Sequence, residues 1–193
     1  GIQSQKIGAT VKHFACNSQE TRRMVSDSIV DDRALHELYL ANFETAVKKA
    51  QPWTIMYAYN RVNGTYCYEN KEIITDELKN RWGFSGLTVS DWGACGYAPD
   101  AVAAGNDLEM PGPVKASASR IKNAIAAGTL TQQQLDTAVS NVVELILKSK
   151  KALGEPNECD MLKNHETAVY AAEQSMVLLK NENNVLPLAA GSK

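Results

Sequence analysis

The sequence predicts an α/β protein built on a parallel sheet. Three short runs rich in β-branched and aromatic residues are nearly continuous in hydrophobicity, which is typical of strands buried on both faces; they cover residues 7–14, 53–59 and 87–89. Helical patterns lie between these runs, and alternating strands and helices predict parallel pairing through helical crossovers. Polar residues follow each run at the point where the strand is expected to end.

The helical segments carry their own start and stop signals. Helices are predicted at 31–49, 71–81, 116–127, 131–150 and 164–175. The first begins with two aspartates and ends with two lysines, an order that complements the helix dipole. Gly128 separates the third helix from the fourth, for which Thr131 is a good N-cap. Further strands are predicted at 108–110 and 176–179, and a linker at 153–159.

Composition limits the classes of function. The 193 residues carry a formal net charge of −2, which gives no electrostatic argument for a nucleic acid or for an anionic membrane as partner. The sequence contains no run of 18 apolar residues, so no membrane span is predicted. The first residues lack a signal-peptide pattern, and because residue 1 is Gly rather than Met we expect a processed or cut N-terminus.

Cysteine and histidine usage gives no support for a metal site. The four cysteines lie at 16, 67, 95 and 159 without Cys-x-x-Cys spacing, and only three histidines are present. An even number of cysteines permits disulfides without requiring them, so the compartment is left open. No metal or other cofactor is predicted.

The number of predicted strands limits the fold. A complete (β/α)8 barrel needs about 250 residues, whereas the first four strand candidates here lie within about 110 residues. The sheet is therefore either open or part of a barrel that other polypeptide completes. In parallel α/β folds ligands bind beyond the carboxyl ends of the strands, so the polar residues that follow the strands are candidates for a site.

Asp91 follows the third run directly and precedes Trp92. A carboxylate held by fixed donors beside an indole face suits the nucleophile and the sugar-stacking surface of a glycosidase. The same aspartate can instead be the N-cap of a strand-to-helix turn, and spacing alone favours that cap. Trp92 is either a stacking surface for a pyranose or a buried side chain, the commoner state of a Trp at a strand end.

Lys12 and His13 lie near the end of the first run. At a strand exit both side chains can reach the mouth of a site, where two fixed donors suit the hydroxyls of a sugar. Lys12 can instead form a Schiff base, as in the lyases that use barrels. The alternative without function is a solvated lysine beside a hydrogen-bonded core histidine.

Other polar positions have structural interpretations of similar weight. Tyr59 ends the second run and either hydrogen-bonds the nucleophile or packs as an aromatic rim. Asn63-Gly64-Thr65 matches a glycosylation sequon, but Asn-Gly favours a tight turn. Asp107 and Glu109 flank an apolar residue, and for them we favour a helix cap and a salt bridge.

Taken together, these segments resemble glycoside hydrolase family 3, the family of β-glucosidases and β-xylosidases. The Ser90-Asp91-Trp92 block is highly specific, and five blocks in the family's order, with the segments between them, cover essentially the whole chain. The matching blocks are 9–17, 59–64, 83–94, 104–111 and 177–182.

The resemblance implies a retaining glycoside hydrolase that removes terminal non-reducing β-D-glucosyl or related residues through a covalent glycosyl-enzyme. Asp91 matches the family nucleophile. Lys12 and His13 match the pair that holds sugar hydroxyls in the −1 subsite. Tyr59 matches a tyrosine close to the nucleophile, and Trp92 matches a residue on the aglycone side of the site.

The resemblance also implies a domain organisation. Residues 1–150 correspond to the C-terminal part of a (β/α)8 TIM-like barrel, 151–172 to a linker and helix, and 173–193 to the start of an α/β sandwich domain. The upstream strands that carry a sugar-binding Asp and Arg have no counterpart here, and the acid/base Glu is expected beyond residue 193. We therefore expect a companion polypeptide that carries the rest of the barrel and the sandwich domain.

Two other functions remain open at this point. The absent acid/base and the unpaired sheet edges are also typical of a non-catalytic carbohydrate-binding or assembly module made of a truncated barrel. A Schiff-base lyase that uses Lys12 rests on that one residue alone. The expected partners are a β-linked glycoside or oligosaccharide substrate and the companion polypeptide, with no nucleic acid and no membrane.

Overall fold

The computed structural model describes residues 1–153 and 159–191. Its backbone contacts divide the chain into a first unit, Gly1–Gly154, and a second unit, Glu155–Lys193. Among the described residues, no helix has the length and apolarity that crossing a membrane requires.

Short strands and longer helices alternate along the first unit. Its strands are β1 (Thr10–Phe14), β2 (Asp27–Ser28), β3 (Thr54–Tyr57), β4 (Arg61–Val62), β5 (Thr65–Tyr66) and β6 (Leu87–Val89). Its α-helices are α1 (Asp32–Ala34), α2 (Ala41–Ala50), α3 (Ala98–Ala104), α4 (Lys115–Ala126) and α5 (Gln132–Ala152). Two π-helical segments, Leu35–Tyr39 and Glu72–Arg81, and two 3₁₀ turns, Ile2–Gln5 and Cys67–Glu69, complete the list.

The main sheet has the order β1-β3-β6, and both of its strand pairs are parallel. Leu108 adds a single parallel bridge to Val89 on the far side of β6. The predicted parallel α/β class is therefore confirmed, although the predicted strand at 108–110 is reduced to this one bridge. The run 7–14 begins pairing only at Thr10, because Ile7 is solvent-exposed.

The first predicted helix forms in three parts. Asp31 caps it by accepting a 2.9 Å hydrogen bond from the backbone N–H of Ala34, as expected from a leading aspartate. α1 then continues through the π-helical segment Leu35–Tyr39 into α2. Thr131 forms the expected cap of α5 as a reciprocal capping box with Gln134.

Helix α3 was not predicted from the sequence. Its seven residues bury Ala98, Ala101 and Ala104, which are too small to produce a clear hydrophobic period, and Pro99 stands in its first turn. The helix ends at Gly105, which has a φ of 104°. A side chain there would meet Thr75 and Ile74 at 2.9 and 3.1 Å, so both the conformation and the close approach require glycine.

A hairpin follows β3 at the carboxyl end of the main sheet. β4 and β5 pair antiparallel, and Asn63 and Gly64 connect them with positive φ values of 50° and 92°. Two consecutive positive φ angles are the requirement of a tight hairpin turn, so the predicted turn is confirmed. The Asn63 side chain also holds Val30 by accepting from its N–H and donating to its C=O, both at 2.9 Å.

The core lies between the main sheet and the helices that cover it. Phe14 at the end of β1 is fully buried and makes edge-to-face contacts with Phe43, at 5.0 Å between ring centroids, and with Trp82, at 5.9 Å. A smaller apolar cluster forms around β6, and Leu108 packs against it. The core therefore fixes the ends of β1 and β6, the two strands that lead to the predicted site residues.

The four thiols are free, but they differ in exposure. Burial raises the pKa of Cys16 to about 11 and those of Cys67 and Cys95 to about 12. Cys159 is solvent-exposed. A thiol is reactive as its thiolate, so the first three are chemically protected.

The second unit contains helix α6 (Met161–Ser175) and the 3₁₀ turn Glu182–Asn184. Asp160 caps α6 by accepting a 3.0 Å hydrogen bond from the N–H of Lys163. The predicted strand at 176–179 does not form, because no described residue of the chain pairs with it as a neighbouring strand. None of the unit's described residues is buried. Residues 154–158 of the predicted linker lie outside the described residues.

Candidate functional site

The backbone that carries Asp91 is fixed by the segment that follows α3. Ser90 donates its N–H to the carbonyl of Leu108 at 3.0 Å, and Gly93 donates to the carbonyl of Met110 at 2.9 Å. The Ser90 hydroxyl also accepts a 2.9 Å hydrogen bond from the N–H of Met110. Residues 108–110 thus hold both sides of Asp91 in place just beyond the end of β6.

The Asp91 carboxylate is largely buried, with 12% of its side chain exposed. Its Oδ1 accepts a 2.7 Å hydrogen bond from the backbone N–H of Trp92, and its Oδ2 lies 3.3 Å from Nε2 of His13. Asp91 does not cap a helix, because the next helix, α3, begins only at Ala98 with Tyr97 as its N-cap. The cap interpretation of Asp91 is therefore wrong.

His13 reaches Asp91 from the opposite edge of the sheet. β3 lies between β1 and β6, yet the two side chains meet beyond the carboxyl ends of the strands. About a third of the His13 side chain, 34%, stays exposed. The imidazole therefore contacts the carboxylate and remains accessible to a ligand.

Tyr59 completes the surroundings of the carboxylate. It is buried, and its hydroxyl donates a 3.0 Å hydrogen bond to the carbonyl of Trp92. Burial raises the pKa of this phenol, and the neighbouring Asp91 carboxylate raises it further. The hydroxyl therefore stays protonated at neutral pH and remains a donor next to Asp91.

Lys12 and Trp92 are the exposed members of the predicted set, and we refer to them, together with the partly exposed His13, as the open side. Lys12 is exposed, and within the described residues its ammonium has neither an ion-pair partner nor a hydrogen bond. Trp92 is 52% exposed, so its indole is not a core side chain. The structure thus brings His13, Tyr59 and the Trp92 backbone to Asp91, whereas no contact joins Lys12 to that carboxylate.

Three residues at this end of the sheet were not recognised in the sequence. The guanidinium carbon of Arg23 lies 4.6 Å from the centroid of the Tyr59 ring, a cation–π contact. Glu20 accepts hydrogen bonds from Arg23 at 2.7 Å and from the side chain of Asn17 at 2.9 Å. The spacing of three between these residues is a signal that a search for polar side chains at i and i+3 can find.

Asp107 and Glu109 are structural residues in this structure. Asp107 forms a buried ion pair with Lys79, with Nζ 3.1 Å from Oδ1, so the salt-bridge interpretation holds for it. Glu109 accepts a 3.1 Å hydrogen bond from the hydroxyl of Ser117. Neither residue is the N-cap of a helix, so that part of the interpretation is wrong.

A largely apolar cavity of the first unit borders the segment 107–109 but not the predicted site residues. The cavity, of about 220 Å³, is formed by residues of α3 and α5 with Leu108 and Glu109, and its lining contains none of the five predicted site residues. Among the described residues, no group of three or more histidine, cysteine or acidic side chains is arranged to hold a metal ion.

The fold and the site define a class: a parallel α/β protein with a carboxylate held by donors at the carboxyl ends of its strands. A family profile described as the glycosyl hydrolase family 3 N-terminal domain matches residues 1–145. The chain therefore belongs to glycosyl hydrolase family 3.

Similar proteins place the chain within larger members of the family. Thermostable β-glucosidase B of Acetivibrio thermocellus is 47% identical over 97% of this chain, and exo-α-(1→6)-L-arabinopyranosidase of Bifidobacterium longum is 42% identical over 99% of it. In both cases the chain spans 25% of the relative's length.

Solved structures of family 3 β-glucosidases contain a region with the same fold as this chain. The crystal structure of the Bifidobacterium adolescentis family 3 β-glucosidase matches 98% of this chain with a TM-score of 0.84 and 40% identity. Thermotoga neapolitana β-glucosidase 3B, solved in complex with α-D-glucose, matches with the same coverage, TM-score and identity. The chain covers 28% of each of those structures.

Proposed function

We propose that this chain supplies the nucleophile, Asp91, of a retaining glycoside hydrolase that acts on terminal non-reducing β-D-glucosyl or related residues. The observation that carries the proposal is the environment of the carboxylate, which accepts the Trp92 N–H at 2.7 Å and faces His13 at 3.3 Å. Such contacts hold a carboxylate in one orientation. β-Glucosidases among the relatives, one of them solved with glucose, support the substrate class.

In the proposed reaction Asp91 attacks the anomeric carbon of the bound sugar. The bond from that carbon to the leaving oxygen breaks, the leaving oxygen takes a proton from an acid/base Glu, and a covalent glycosyl-enzyme ester forms. Water then attacks the anomeric carbon and gives a proton back to that Glu, which releases the sugar and regenerates the Asp91 carboxylate. From the family resemblance we place this Glu beyond residue 193.

The residues around Asp91 have separate proposed roles. His13 and Lys12 bind hydroxyls of the sugar, with hydrogen bonds that strengthen as the transition state forms. Tyr59 orients the nucleophile through its phenol. The half-exposed Trp92 indole lies on the side of the leaving group and offers a surface for stacking.

The proposal includes the domain organisation and a companion. We propose that residues 1–150 form the C-terminal part of a (β/α)8 TIM-like barrel, that 151–172 form a linker and helix, and that 173–193 begin an α/β sandwich domain. Within the described residues, β1 has a neighbouring strand on one side only, which leaves an unpaired edge. The apolar residues 176–179 of the second unit are exposed, so they need cover from other polypeptide.

We call this chain, together with the polypeptide segments that complete the barrel and supply the Glu, the assembled enzyme. The test treats the assembled enzyme with a fluorinated β-glucoside that traps glycosidase nucleophiles, and maps the added mass by peptide digestion. Label on the peptide that holds Asp91, absent from an Asp91→Ala control, is the expected result. Label on another carboxylate overturns the assignment of the nucleophile. Sugar binding without label favours the carbohydrate-binding module instead.

A further inference from the structure

A second carboxylate, Asp107, is more deeply buried than Asp91, with 2% of its side chain exposed. Its Oδ1 accepts a 2.8 Å hydrogen bond from the side-chain amide of Asn141, and Lys79 Nζ lies 3.1 Å from both of its oxygens. Its Oδ2 accepts from the backbone N–H of Thr88 at 2.8 Å and from the Thr88 hydroxyl at 2.7 Å. Both oxygens of the Asp107 carboxylate therefore have donors within the protein, and the side chain is almost fully removed from solvent.

The two contacts to Thr88 act on the strand that leads to the nucleophile. β6 has only three residues, so few ladder hydrogen bonds fix its register. A shift of one residue would turn every side chain to the opposite face of the sheet, Asp91 included. Because Asp107 binds both the backbone and the side chain of Thr88, it selects one register of β6.

The same register continues from Asp107 to the nucleophile. The N–H groups of Asp107 and Leu108 both donate to the carbonyl of Thr88 at 3.1 Å. Beyond them, Ser90 and Gly93 donate to the carbonyls of Leu108 and Met110. One continuous set of contacts thus runs from the Asp107 carboxylate to the turn that places the Asp91 carboxylate opposite His13.

We propose that Asp107 is a positioning residue for the nucleophile: it fixes the register of β6 against residues 107–110 and so sets the place of Asp91. This inference rests on the proposed function of Asp91 as a nucleophile. Asp107 itself touches neither Asp91 nor the open side of the site.

Energetics separate this role from a contribution to stability. Burying an ion pair costs desolvation, and replacing both partners by apolar residues of similar size is often neutral or stabilising. The buried Asp107–Lys79 pair therefore need not contribute much to the free energy of unfolding. Its geometry, however, allows β6 only one register. A contribution to stability alone would lower the unfolding midpoint without changing the exchange of the Ser90 and Gly93 amides or the labelling rate in the folded enzyme.

The first test replaces the pair in the assembled enzyme as Lys79→Met/Asp107→Leu. The matched control is Arg33→Met/Glu37→Leu. These residues form an exposed ion pair between α1 and the π-helical segment that follows it, and their side chains are 83% and 61% exposed. Two measurements are made on each protein: hydrogen exchange of the Ser90 and Gly93 amides, and the rate at which the fluorinated sugar labels Asp91. The midpoint of urea unfolding is measured beside them.

For the replaced pair we expect a lower unfolding midpoint, because the Thr88 N–H and the Asn141 amide lose their acceptor. Below that midpoint we expect faster exchange at both amides and labelling slowed about 10- to 100-fold, the order of cost of a misplaced reacting group. Replacing the control pair should change neither the exchange of the two amides nor the labelling rate. Unchanged exchange and labelling in the replaced pair overturn the inference.

A milder variant decides the question if the double replacement does not fold. Thr88→Val keeps the shape of a fully buried side chain and removes the hydroxyl that contacts Asp107. It should speed the exchange of the Ser90 and Gly93 amides and slow the labelling of Asp91, each by less than the double replacement does. If both quantities equal those of the parent, the inference is overturned. If Asp91 is not labelled in the parent, the proposed function fails by itself, and the exchange of Ser90 and Gly93 still tests the register.

Discussion

The two sides of the candidate site are built differently. On the nucleophile side, Asp91 is largely buried and its backbone is bound on both flanks by residues 108–110. On the open side, Lys12 is exposed and His13 keeps a third of its surface accessible, on a strand that has a neighbour on one edge only in the described residues. Within the described residues this chain therefore fixes the Asp91 carboxylate with its own contacts, whereas no contact holds the Lys12 side chain.

The difference shows which parts of a site a segment can organise by itself. Hydrogen bonds between residues close in sequence, such as the Trp92 N–H to Asp91, form with little loss of chain entropy. Lys12 has no such local partner among the described residues, so no contact of this chain fixes its side chain. We therefore expect variants on the nucleophile side to change the chemical step, and variants on the open side to change binding.

The largest effect is expected at the nucleophile. Asp91→Asn in the assembled enzyme removes the attacking charge but keeps the shape, so kcat for an aryl β-glucoside should fall at least about a thousandfold, equivalent to about 4 kcal/mol of barrier. Release of the aryl group, followed by absorbance, measures it. Asp100→Asn, an exposed aspartate in the first turn of α3, is the control and should leave turnover unchanged. If Asp91→Asn turned over substrate nearly as fast as the parent, Asp91 would not be the nucleophile.

The next effect is on stability and tests whether the two sides share one core. Phe14→Ala removes a fully buried ring that contacts Phe43 and Trp82 directly after His13. Such truncations cost about 3–5 kcal/mol of unfolding free energy. Urea unfolding followed by tryptophan fluorescence measures the loss. A loss below about 1 kcal/mol, the range of surface substitutions, would show that β1 is not anchored by this core.

Substitutions of His13 and Lys12 should have smaller effects on catalysis than those of Asp91, and the effects should appear in substrate binding. His13→Ala removes the imidazole that contacts the Asp91 carboxylate and is proposed to bind a sugar hydroxyl, and should lower kcat/KM for the aryl β-glucoside about 10- to 100-fold. Lys12→Ala should act mainly on KM, because its side chain has no partner in the described residues to lose. Lys122→Ala, an exposed lysine on α4, is the matched control. A fall in kcat alone for Lys12→Ala would contradict the assignment of the open side to binding.

The smallest effect is expected outside the site, on the pH dependence of stability that His36 contributes. His36 lies 3.2 Å from both Asp32 and Glu77, and Arg81 faces the same Glu77. A hydrogen bond to the backbone carbonyl of Asp32, followed by the interaction with Glu77, raises the pKa of His36 against the opposing effect of burial. The stabilisation is therefore complete below the ordinary value of 6.5 and is lost as the pH rises through the raised pKa.

A pH series of urea unfolding measures this effect in the parent and in His36→Gln. The parent should lose up to about 1 kcal/mol across that range, the usual size of a partly exposed pair, and His36→Gln should not. His165→Gln on α6 is the control for the loss of a histidine as such. A pH dependence retained in His36→Gln would show that another group causes it.

The sheet was predictable because its strands are short, continuous apolar runs, and 87–89 matches β6 residue for residue. Helix α3 was not, since alanine gives little periodic signal. The helices predicted at 31–49 and 71–81 form, but their π-helical turns were not predicted, because such turns are not specified by hydrophobic period. The strand predicted at 176–179 depends on a partner that the described residues do not contain, so pattern alone could not decide it.

For the site, the sequence supplied candidate residues but not their contacts. Asp91, Trp92, Lys12, His13 and Tyr59 were chosen because they follow strands, yet the meeting of His13 with Asp91 depends on the sheet order β1-β3-β6. The contact of Arg23 with Tyr59 joins two loops 36 residues apart by their numbering, and no local pattern predicts it. Long-range pairing of this kind is set by topology, which a single sequence leaves open.

The unequal burial of the four thiols has a practical consequence. At neutral pH a maleimide dye should react with Cys159, because the protonated, sheltered thiols of the first unit offer almost no nucleophile. The native sequence thus carries a single attachment point for a fluorophore or spin label, directly ahead of α6. A probe there reports on the second unit without any engineered residue.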